Sequence, residues 1–313
     1  MISLTFQNQI ATALARLAMT VRWYHLLNCH CERSEAISYF GRLCIFVFLI
    51  LHFTFTDLAV ANEQPNRIIS LAPNLTEILF AMGLGDRIVG VTNFCDYPED
   101  SKRKPKVGGM YNPSLEAVVS LRPDMVIVTT DGNLKEFEER LRSLSIRTYV
   151  FKARRLFELS DEIRRLGEAL GFTGKADVLA KDIEEAFNRH KALGSKQKGK
   201  RVLFIVWPEP LIVAGSGTAI DDAISLLGCE NIASKANIAY PKYSVEEIMR
   251  QAPDVIFIGK GHVDVKAASR NIIKKLSEVP AVKHGEVCFI SDSIYRLGPR
   301  IIKGIDEMAR CLK

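Results

Sequence analysis

Two stretches of this chain repeat the same pattern of residue types. Residues 114–128 align without a gap on residues 244–258, with Ser, Glu, Pro and Asp at the same four offsets. Each copy ends in a short apolar run that is typical of a buried strand. A unit repeated once in each half predicts two similar lobes, and a cleft between lobes often binds a small molecule. Coincidence is the alternative, because helix–Pro–Asp–strand is a common α/β connection.

The composition is that of a globular protein with room for two modest domains. The 313 residues are 48% hydrophobic and 25% charged, which is ordinary for a folded chain. The formal net charge of +6 is spread along the chain and forms no arginine-rich tail. We therefore expect no nucleic-acid partner.

The first 61 residues predict a targeting segment that is not part of the fold. Arg42 precedes the apolar run 43–55, and the small residues 59–61 follow, as in a secretory signal peptide cut after Ala61. An uncleaved anchor is the alternative, although a membrane span takes about 20 residues. Residues 1–41 precede this signal, and we interpret them as a spurious N-terminal extension. The protein is thus expected outside the cytoplasm.

Four cysteines follow the predicted cut, namely Cys95, Cys229, Cys288 and Cys311. An oxidising compartment allows a disulfide. Four cysteines permit three full pairings, and their spacing does not choose between them.

Strands alternate with helices through residues 67–313, which predicts parallel sheets with helices on both faces. We expect an N-lobe over 67–152, connecting helices over 156–195 and a C-lobe over 200–313. A helical period from about Lys175 to Leu193 predicts one long connector of about 30 Å. Asn74 is expected to cap the first helix, and Pro299 to lie in the first turn of the last one.

The candidate reactive residues do not favour catalysis. The run Gly215-Ser216-Gly217-Thr218 lacks the last glycine of a nucleophile elbow and the lysine of a phosphate loop. We interpret it as a strand-to-helix turn whose amides could hold an anionic ligand group. His262 follows a predicted strand end, where α/β sheets place ligands, and we interpret it as a loop histidine, with a metal contact as the alternative. A secreted enzyme using Ser216 or His262, or a structural interaction module, would be different classes of protein.

Aromatic residues gather where the predicted strands end. Phe94 and Tyr111 lie in the first half, and Trp207 and Tyr240 in the second. Such side chains suit a large, flat, partly polar ligand, although they would also cover exposed sheet edges.

The order of motifs resembles the periplasmic binding proteins of iron-chelate and vitamin B12 ABC importers. The resemblance covers about residues 67–313 and begins with the strand and helix at 67–77. The other matching motifs are Asp96-Tyr97-Pro98, Val107-Gly108-Gly109, 112–116, Pro123-Asp124, Tyr240-Pro241, 244–246, Asp292, Arg296 and Pro299-Arg300. The resemblance implies the class III α/β fold, with two similar lobes, mainly parallel central sheets and one long rigid helix joining them.

The same resemblance implies a periplasmic receptor that is not an enzyme, holds no cofactor or metal and acts as a monomer. The stretch 108–116 and the pair Asp292 and Arg296 are most similar to the cobalamin-binding branch. The expected ligand is therefore cobalamin or a related corrinoid, with haem or a ferric siderophore as the alternative. The positions implied to bind the ligand, or directly beside them, are Phe94, Met110, Tyr111, Val206, Trp207, Tyr240, Asp292 and Arg296.

Two further features are implied by the resemblance alone. Glu116 and Glu246 would dock onto arginines of the permease dimer of an ABC importer. The family member that binds cobalamin has a cysteine pair, for which Cys229 and Cys311 are the nearest equivalents here.

Overall fold

The computed structural model describes residues 64–133, 135–260 and 266–312, which lie in one compact unit. The predicted signal peptide, the stretch before it and His262 fall outside these residues. Within the described ranges, no helix is both long and apolar enough to cross a membrane.

The described strands and helices alternate along most of the chain. The strands are β1 (Ile68–Ser70), β2 (Ile88–Val91), β3 (Met125–Thr129), β4 (Thr148–Phe151), β5 (Arg201–Pro208), β6 (Leu211–Val213), β7 (Glu230–Asn231), β8 (Val255–Gly259) and β9 (Val287–Ile290). The helices are α1 (Pro73–Ala81), α2 (Glu99–Lys102), α3 (Leu115–Ser120), α4 (Lys135–Ser143), α5 (Leu159–Leu170), α6 (Thr173–Gly194), α7 (Ala219–Leu226), α8 (Val245–Gln251), α9 (Lys266–Lys275), α10 (Pro280–Lys283) and α11 (Ile301–Cys311).

The strands form two separate sheets, and we use N-lobe and C-lobe for the parts around them. The N-lobe sheet has the order β2-β1-β3-β4 and is parallel throughout. The C-lobe sheet has the order β6-β5-β8-β9, with β7 also paired to β5, and only β6 is antiparallel among its described strands. The expected fold of two lobes with mainly parallel sheets is confirmed.

The two copies of the sequence repeat take the same structure in different sheets. Ser114 caps α3 by accepting from the Ala117 amide at 3.2 Å, and Ser244 caps α8 by accepting from the Glu247 amide at 3.1 Å. Each helix ends near a residue with φ of 44°, which is Arg122 in one copy and Ala252 in the other. The matched caps and left-handed turns show that the repeat is a structural unit.

The repeated aspartates hold each unit against the first strand of its sheet. Asp124 accepts from the amides of Asn66 and Arg67, both at 2.9 Å, and Asp254 accepts from the Arg201 amide at 2.8 Å. The aspartate amides donate back to the carbonyls of Arg67 and Arg201, each at 2.8 Å. This two-way pairing explains why the aspartate recurs at the same offset.

A long helix leads from the N-lobe into the C-lobe, as the sequence predicts. The 22 residues of α6 span about 33 Å at the usual rise per residue. It turns back from α5 at Gly171, whose φ of 74° is the usual left-handed helix end. Ala176 packs closely against Gly167 of α5, so the two helices form one rigid pair.

Two details near helix ends differ from expectation. Asn74 does not cap α1, because Ala72 is the N-cap residue and Pro73 starts the helix, where its fixed φ is favourable. The Asn74 side chain instead donates to the Leu297 carbonyl of the C-lobe at 3.2 Å. The last helix begins at Ile301, so Pro299 precedes it rather than lying in its first turn.

The disulfide joins Cys288 to Cys311, so the expected pairing of Cys229 with Cys311 is wrong. Cys288 lies on β9 and Cys311 ends α11, with Cα atoms 6.4 Å apart, which is within the range for a disulfide. Cys229 is a buried free thiol that donates to the Leu227 carbonyl at 3.6 Å. Burial raises the pKa of this thiol to about 11, which keeps it protonated and unreactive.

Candidate ligand-binding cleft

A cleft of about 260 Å³ lies where residues after the carboxyl ends of both sheets meet. Open α/β sheets place their ligands at this end of the strands. The lining residues come from both lobes and are Pro73, Asn74, Phe94, Met110, Tyr111, Thr129, Asp131, Ala153, Asp292, Tyr295, Arg296 and Leu297.

The N-lobe wall is held in place by Asn133. Its Nδ2 donates to the carbonyls of Met110 at 2.7 Å and Leu71 at 3.1 Å, and its Oδ1 accepts from the Thr129 amide at 2.8 Å. One side chain therefore joins the Met110 loop to the ends of β1 and β3. Asn133 was not among the residues predicted from the sequence. Its position in a turn-forming run just after the β3 strand could have indicated it.

Phe94 and Tyr111 present large exposed surfaces at the N-lobe side of the cleft. Phe94 is 54% exposed and Tyr111 is 63% exposed. Rings that remain this accessible beside a concave site can stack on a flat ligand without first leaving a packed core.

Tyr295 forms the C-lobe floor of the cleft. Its hydroxyl donates to the Val206 carbonyl at 3.3 Å, and its ring meets Phe204 edge-on at 6.1 Å between centroids. A Cβ at Gly259 would overlap this hydroxyl, so the end of β8 leaves room only for glycine. Burial raises the pKa of Tyr295 and keeps it protonated. The expected ligand-binding set omitted Tyr295, although it lies one turn after Asp292.

Five of the eight expected ligand-binding positions line the cleft, and three do not. Phe94, Met110, Tyr111, Asp292 and Arg296 are brought together there. The Val206 side chain instead packs on the hydrophobic core. Trp207, next along β5, lies opposite Ile212 of β6. The pairing of β5 with β6 shifts register between Ile205 and Trp207, so β5 is irregular at these positions, and neither side chain is among the described cleft-lining residues.

Tyr240 stands near the cleft without lining it. Its side chain is 52% exposed. Desolvation of the hydroxyl raises the pKa of Tyr240, and electrostatic interactions with Asp131 and Tyr111 of the N-lobe raise it further. Tyr240 of the C-lobe therefore lies close enough to Asp131 and Tyr111, which line the cleft, to interact with them electrostatically.

Five charged side chains join the lobes at the cleft, and we call them the interlobe ion cluster. Its members are Glu77, Asp96, Asp292, Arg296 and Arg300. Arg296, which is 7% exposed, donates to Glu77 at 3.1 Å and to Asp96 at 2.5 and 3.2 Å, and lies 3.3 Å from Asp292. Arg300 lies 3.0 Å from Glu77. The guanidinium of Arg296 is therefore already surrounded by carboxylates.

The pKa values of Glu77 and Asp96 in this cluster shift in opposite directions. Desolvation raises the pKa of Glu77, although Arg300 and Arg296 oppose that effect. Desolvation also acts to raise the pKa of Asp96, but the hydrogen bonds and charge of Arg296 outweigh it and lower the value. The difference follows from exposure, since the Glu77 side chain is 1% exposed and that of Asp96 is 45% exposed.

Neither a phosphate-binding loop nor a metal cluster is found in the described residues. Thr218 caps α7 by accepting from the Asp221 amide at 3.0 Å, and the Gly217 amide donates to the Asp221 carboxylate at 3.2 Å. The segment 215–218 is thus the strand-to-helix turn expected from sequence, and Asp221 already occupies one of its amides. Across the described ranges, no group of three or more His, Cys, Asp or Glu side chains is arranged to hold a metal ion.

Comparison with known protein families identifies the family of this chain. Residues 68–293 match the family described as periplasmic binding protein. The chain belongs to this family. Its relatives include proteins named for binding vitamin B12 and haem, as the resemblance of its motifs implies.

Two relatives with similar sequences differ in how much their names say about function. A vitamin B12-binding protein of Vibrio parahaemolyticus is 28% identical over 272 residues, which cover 86% of this chain and 95% of that protein. An uncharacterised ABC transporter substrate-binding lipoprotein of Bacillus subtilis, YvrC, is 33% identical over 260 residues, covering 80% of this chain and 81% of that protein.

Solved structures include binding proteins for two ligands. The periplasmic vitamin B12 binding protein BtuF of Vibrio cholerae aligns with a TM-score of 0.68 and 26% identity, over 80% of this chain and 97% of that one. The apo form of the periplasmic haem-binding protein RhuT from Roseiflexus aligns with a TM-score of 0.71 and 26% identity, over 79% and 97%. The fold is thus shared equally by B12-binding and haem-binding proteins.

In this binding protein, Glu116 and Glu246 occupy equivalent exposed positions on the two lobes. Each lies in the first turn of its repeat helix, α3 or α8. Hydrogen bonds from their own backbone amides lower the pKa of both carboxyls, and the capping serines Ser114 and Ser244 add to the effect. Both side chains are therefore charged at neutral pH and face solvent.

Proposed function

We propose that this binding protein captures cobalamin or a related corrinoid in the interlobe cleft and delivers it to the permease of an ABC importer. The observation that carries the proposal is that the cleft has little free positive charge. Arg296 is the only cation among its described lining residues, and Glu77, Asp96 and Asp292 already surround it. The cleft therefore offers aromatic surface and hydrogen bonds, but little free positive charge.

This charge state suits the chemistry of a corrinoid. A corrin ring presents a broad apolar face, and its rim carries neutral amides that both donate and accept hydrogen bonds. Phe94 and Tyr111 offer surface for the ring, while Asp131 and Asp292 can accept from rim amides. Haem carries two propionates, and an acidic cleft without a free cation would bury them at a cost. The vitamin B12-binding relative supports the same choice.

Haem is the second candidate, and a specific observation favours it. Tyr111 and Tyr240 are both more than half exposed at the cleft mouth, and a tyrosine oxygen can be an axial ligand of haem iron. The haem-binding structural neighbour has the same sequence identity as the B12-binding one.

Direct titration of the purified chain separates the two ligands. Calorimetric titration with cyanocobalamin is expected to give saturable binding at one ligand per chain, whereas haem is expected to produce no saturable shift of its Soret absorbance. A saturable Soret shift together with no heat from cyanocobalamin would contradict the proposal and favour haem.

Removing the exposed rings of the cleft should weaken corrinoid binding. Phe94→Ala with Tyr111→Ala is expected to raise the dissociation constant for cyanocobalamin about tenfold to hundredfold, because aromatic side chains often supply most of the binding free energy. The matched control is Phe157→Ala, which removes a ring that is 58% exposed and does not line the cleft. Equal affinities for the double variant and the control would show that the ligand binds elsewhere.

The paired glutamates are expected to act in delivery and not in capture. Glu116→Ala with Glu246→Ala should reduce transport about tenfold or more in vesicles containing the importer, because complementary charges set association rate and orientation. Cyanocobalamin affinity should stay within about twofold, since neither residue lines the cleft. Glu99→Ala with Glu278→Ala changes the net charge equally at exposed sites and serves as control. Transport at the control level would exclude the docking role.

A further inference from the structure

Two neighbouring residues of the N-lobe cover both arginines of the interlobe ion cluster. Asp96 and Tyr97 lie between β2 and α2. Asp96 accepts from both terminal nitrogens of Arg296, at 2.5 and 3.2 Å. The Tyr97 ring lies over Arg300, with its centroid 4.4 Å from the guanidinium carbon. The two cations that the C-lobe contributes to the cluster are therefore occupied from the other lobe.

The three carboxylates around Arg296 differ in exposure and in origin. The Glu77 side chain is 1% exposed and also lies 3.0 Å from Arg300, so it anchors both arginines inside the protein. Asp292 belongs to the same lobe as Arg296 and lies 3.3 Å from it. Asp96 comes from the other lobe, and its side chain is 45% exposed. Its removal would leave two carboxylates for two guanidiniums, and would free a hydrogen-bond donor on each terminal nitrogen of Arg296, which lines the cleft.

Asp96 keeps its negative charge at neutral pH. Desolvation acts to raise its pKa, but the hydrogen bonds and charge of Arg296 outweigh that effect and lower the pKa. A ligand carboxylate would bind a guanidinium through the same two-pronged hydrogen bonding that Asp96 already uses. It would therefore have to displace Asp96 or to lie beside its charge, where like charges repel. A neutral amide faces neither cost.

We infer that Asp96 determines the ligand selectivity of the cleft, by occupying Arg296 and so disfavouring ligands that carry carboxylates. A site gains specificity when it is unfavourable for a competing ligand as well as favourable for the preferred one. Asp96 is not among the described cleft-lining residues, so it acts through Arg296 and not through contact with the ligand. The inference rests on the proposed function, and it names the residue that would separate neutral corrinoids from haem.

Removing the charge of Asp96 should admit a ligand that carries carboxylates. Asp96→Asn keeps the size of the side chain, and its titration with haem is expected to give a saturable Soret shift. The dissociation constant should be about tenfold or more below the lowest value compatible with the wild-type titration, because hydrogen bonds to charged groups are strong. The gain should shrink at high salt, since ions screen exposed charges. The dimethyl ester of haem, whose propionates carry no charge, should gain nothing. Asp96→Ser should behave in the same way, and circular dichroism checks that each variant is folded.

Two matched controls separate the freeing of Arg296 from the loss of a negative charge. Asp131→Asn acts on a residue that lines the cleft but is not an ion-pair partner of Arg296 in the described part of the chain. It should change haem affinity by less than about threefold, because it frees no cation. Asp100→Asn acts on α2, where the side chain is 70% exposed, and should leave haem affinity unchanged. Equal haem affinities for Asp96→Asn and Asp131→Asn would overturn the inference.

The wild-type titrations test the proposed function separately. If the wild type bound haem and not cyanocobalamin, the corrinoid proposal would fail, but Asp96→Asn should still bind haem more tightly than the wild type does. If the wild type bound cyanocobalamin and Asp96→Asn gained no affinity for haem, the proposed function would stand and the inference would be wrong.

Discussion

Arg296→Ala is expected to lower the free energy of unfolding by about 3–5 kcal/mol, since it removes one partner from a buried ion pair. Glu77 would keep Arg300 as its cation, but it would lose the hydrogen bond from Arg296 at 3.1 Å in a site where its side chain is 1% exposed. Asp96 would also lose its contact to the C-lobe. Urea denaturation of the wild type and the variant gives the difference directly.

The pH dependence of that loss identifies its cause. The folded pKa of Glu77 is raised, so its contribution to stability is complete below the unfolded value and falls as pH rises through the folded value. Removing Arg296 raises the pKa of Glu77 further, since a nearby cation favours the charged form. The destabilisation should therefore be smaller at about pH 5 than at about pH 8.

A second variant distinguishes the effect of an unpaired buried charge from a simple loss of packing. Glu77→Gln combined with Arg296→Ala removes the buried charge together with its partner, and should recover part of the lost stability. If the double variant were as unstable as the sum of the single ones, at either pH, the buried charge would not be the cause.

Loss of the Cys288–Cys311 disulfide is expected to lower the free energy of unfolding by about 3 kcal/mol. The bond closes a loop with a sequence separation of 23 residues, and the chain-entropy relation gives that magnitude for such a loop. Cys288→Ala with Cys311→Ala should show it in urea denaturation without reductant, and reduction should have little further effect on the variant.

Cys229 provides the matched control, because it was the partner expected from the family resemblance. Cys229→Ala should cost only about 1 kcal/mol through lost burial, and the variant should keep its sensitivity to reductant. Alkylation of the unfolded, unreduced protein should label Cys95 and Cys229 alone among the described cysteines. A linked peptide containing Cys229 and Cys311 would contradict the structure.

Local sequence patterns predicted most secondary structure because the relevant forces act over a few residues. Strands β3 and β8 coincide with the apolar runs that end the two repeat copies, and α6 coincides with the predicted connector. The prediction failed where two local preferences competed, as at Asn74, which could cap a helix but follows Pro73, a strong helix starter. It also missed short elements such as α10 and β7, which have too few residues for a periodic signal.

The cleft was harder to predict because its residues come from distant parts of the chain. A motif resemblance located Asp292 and Arg296, but nothing in the sequence indicated that Arg296 would be held by Glu77 and Asp96 of the other lobe. Val206 and Trp207 fall outside the described cleft lining, at the point where the pairing of β5 with β6 shifts register. This register depends on the pairing between β5 and β6 and not on a pattern within β5 alone.

By itself, the sequence determined the duplicated helix–strand unit, the alternating α/β order, the long connector and the family. Each of these depends on residues that are neighbours or regularly spaced along the chain. Only the tertiary structure decided which cysteines pair, which charges join the lobes and which side chains face the cleft. Those outcomes depend on how two sheets approach each other in space, and burial there changes the free energy of every charge and thiol that the approach encloses.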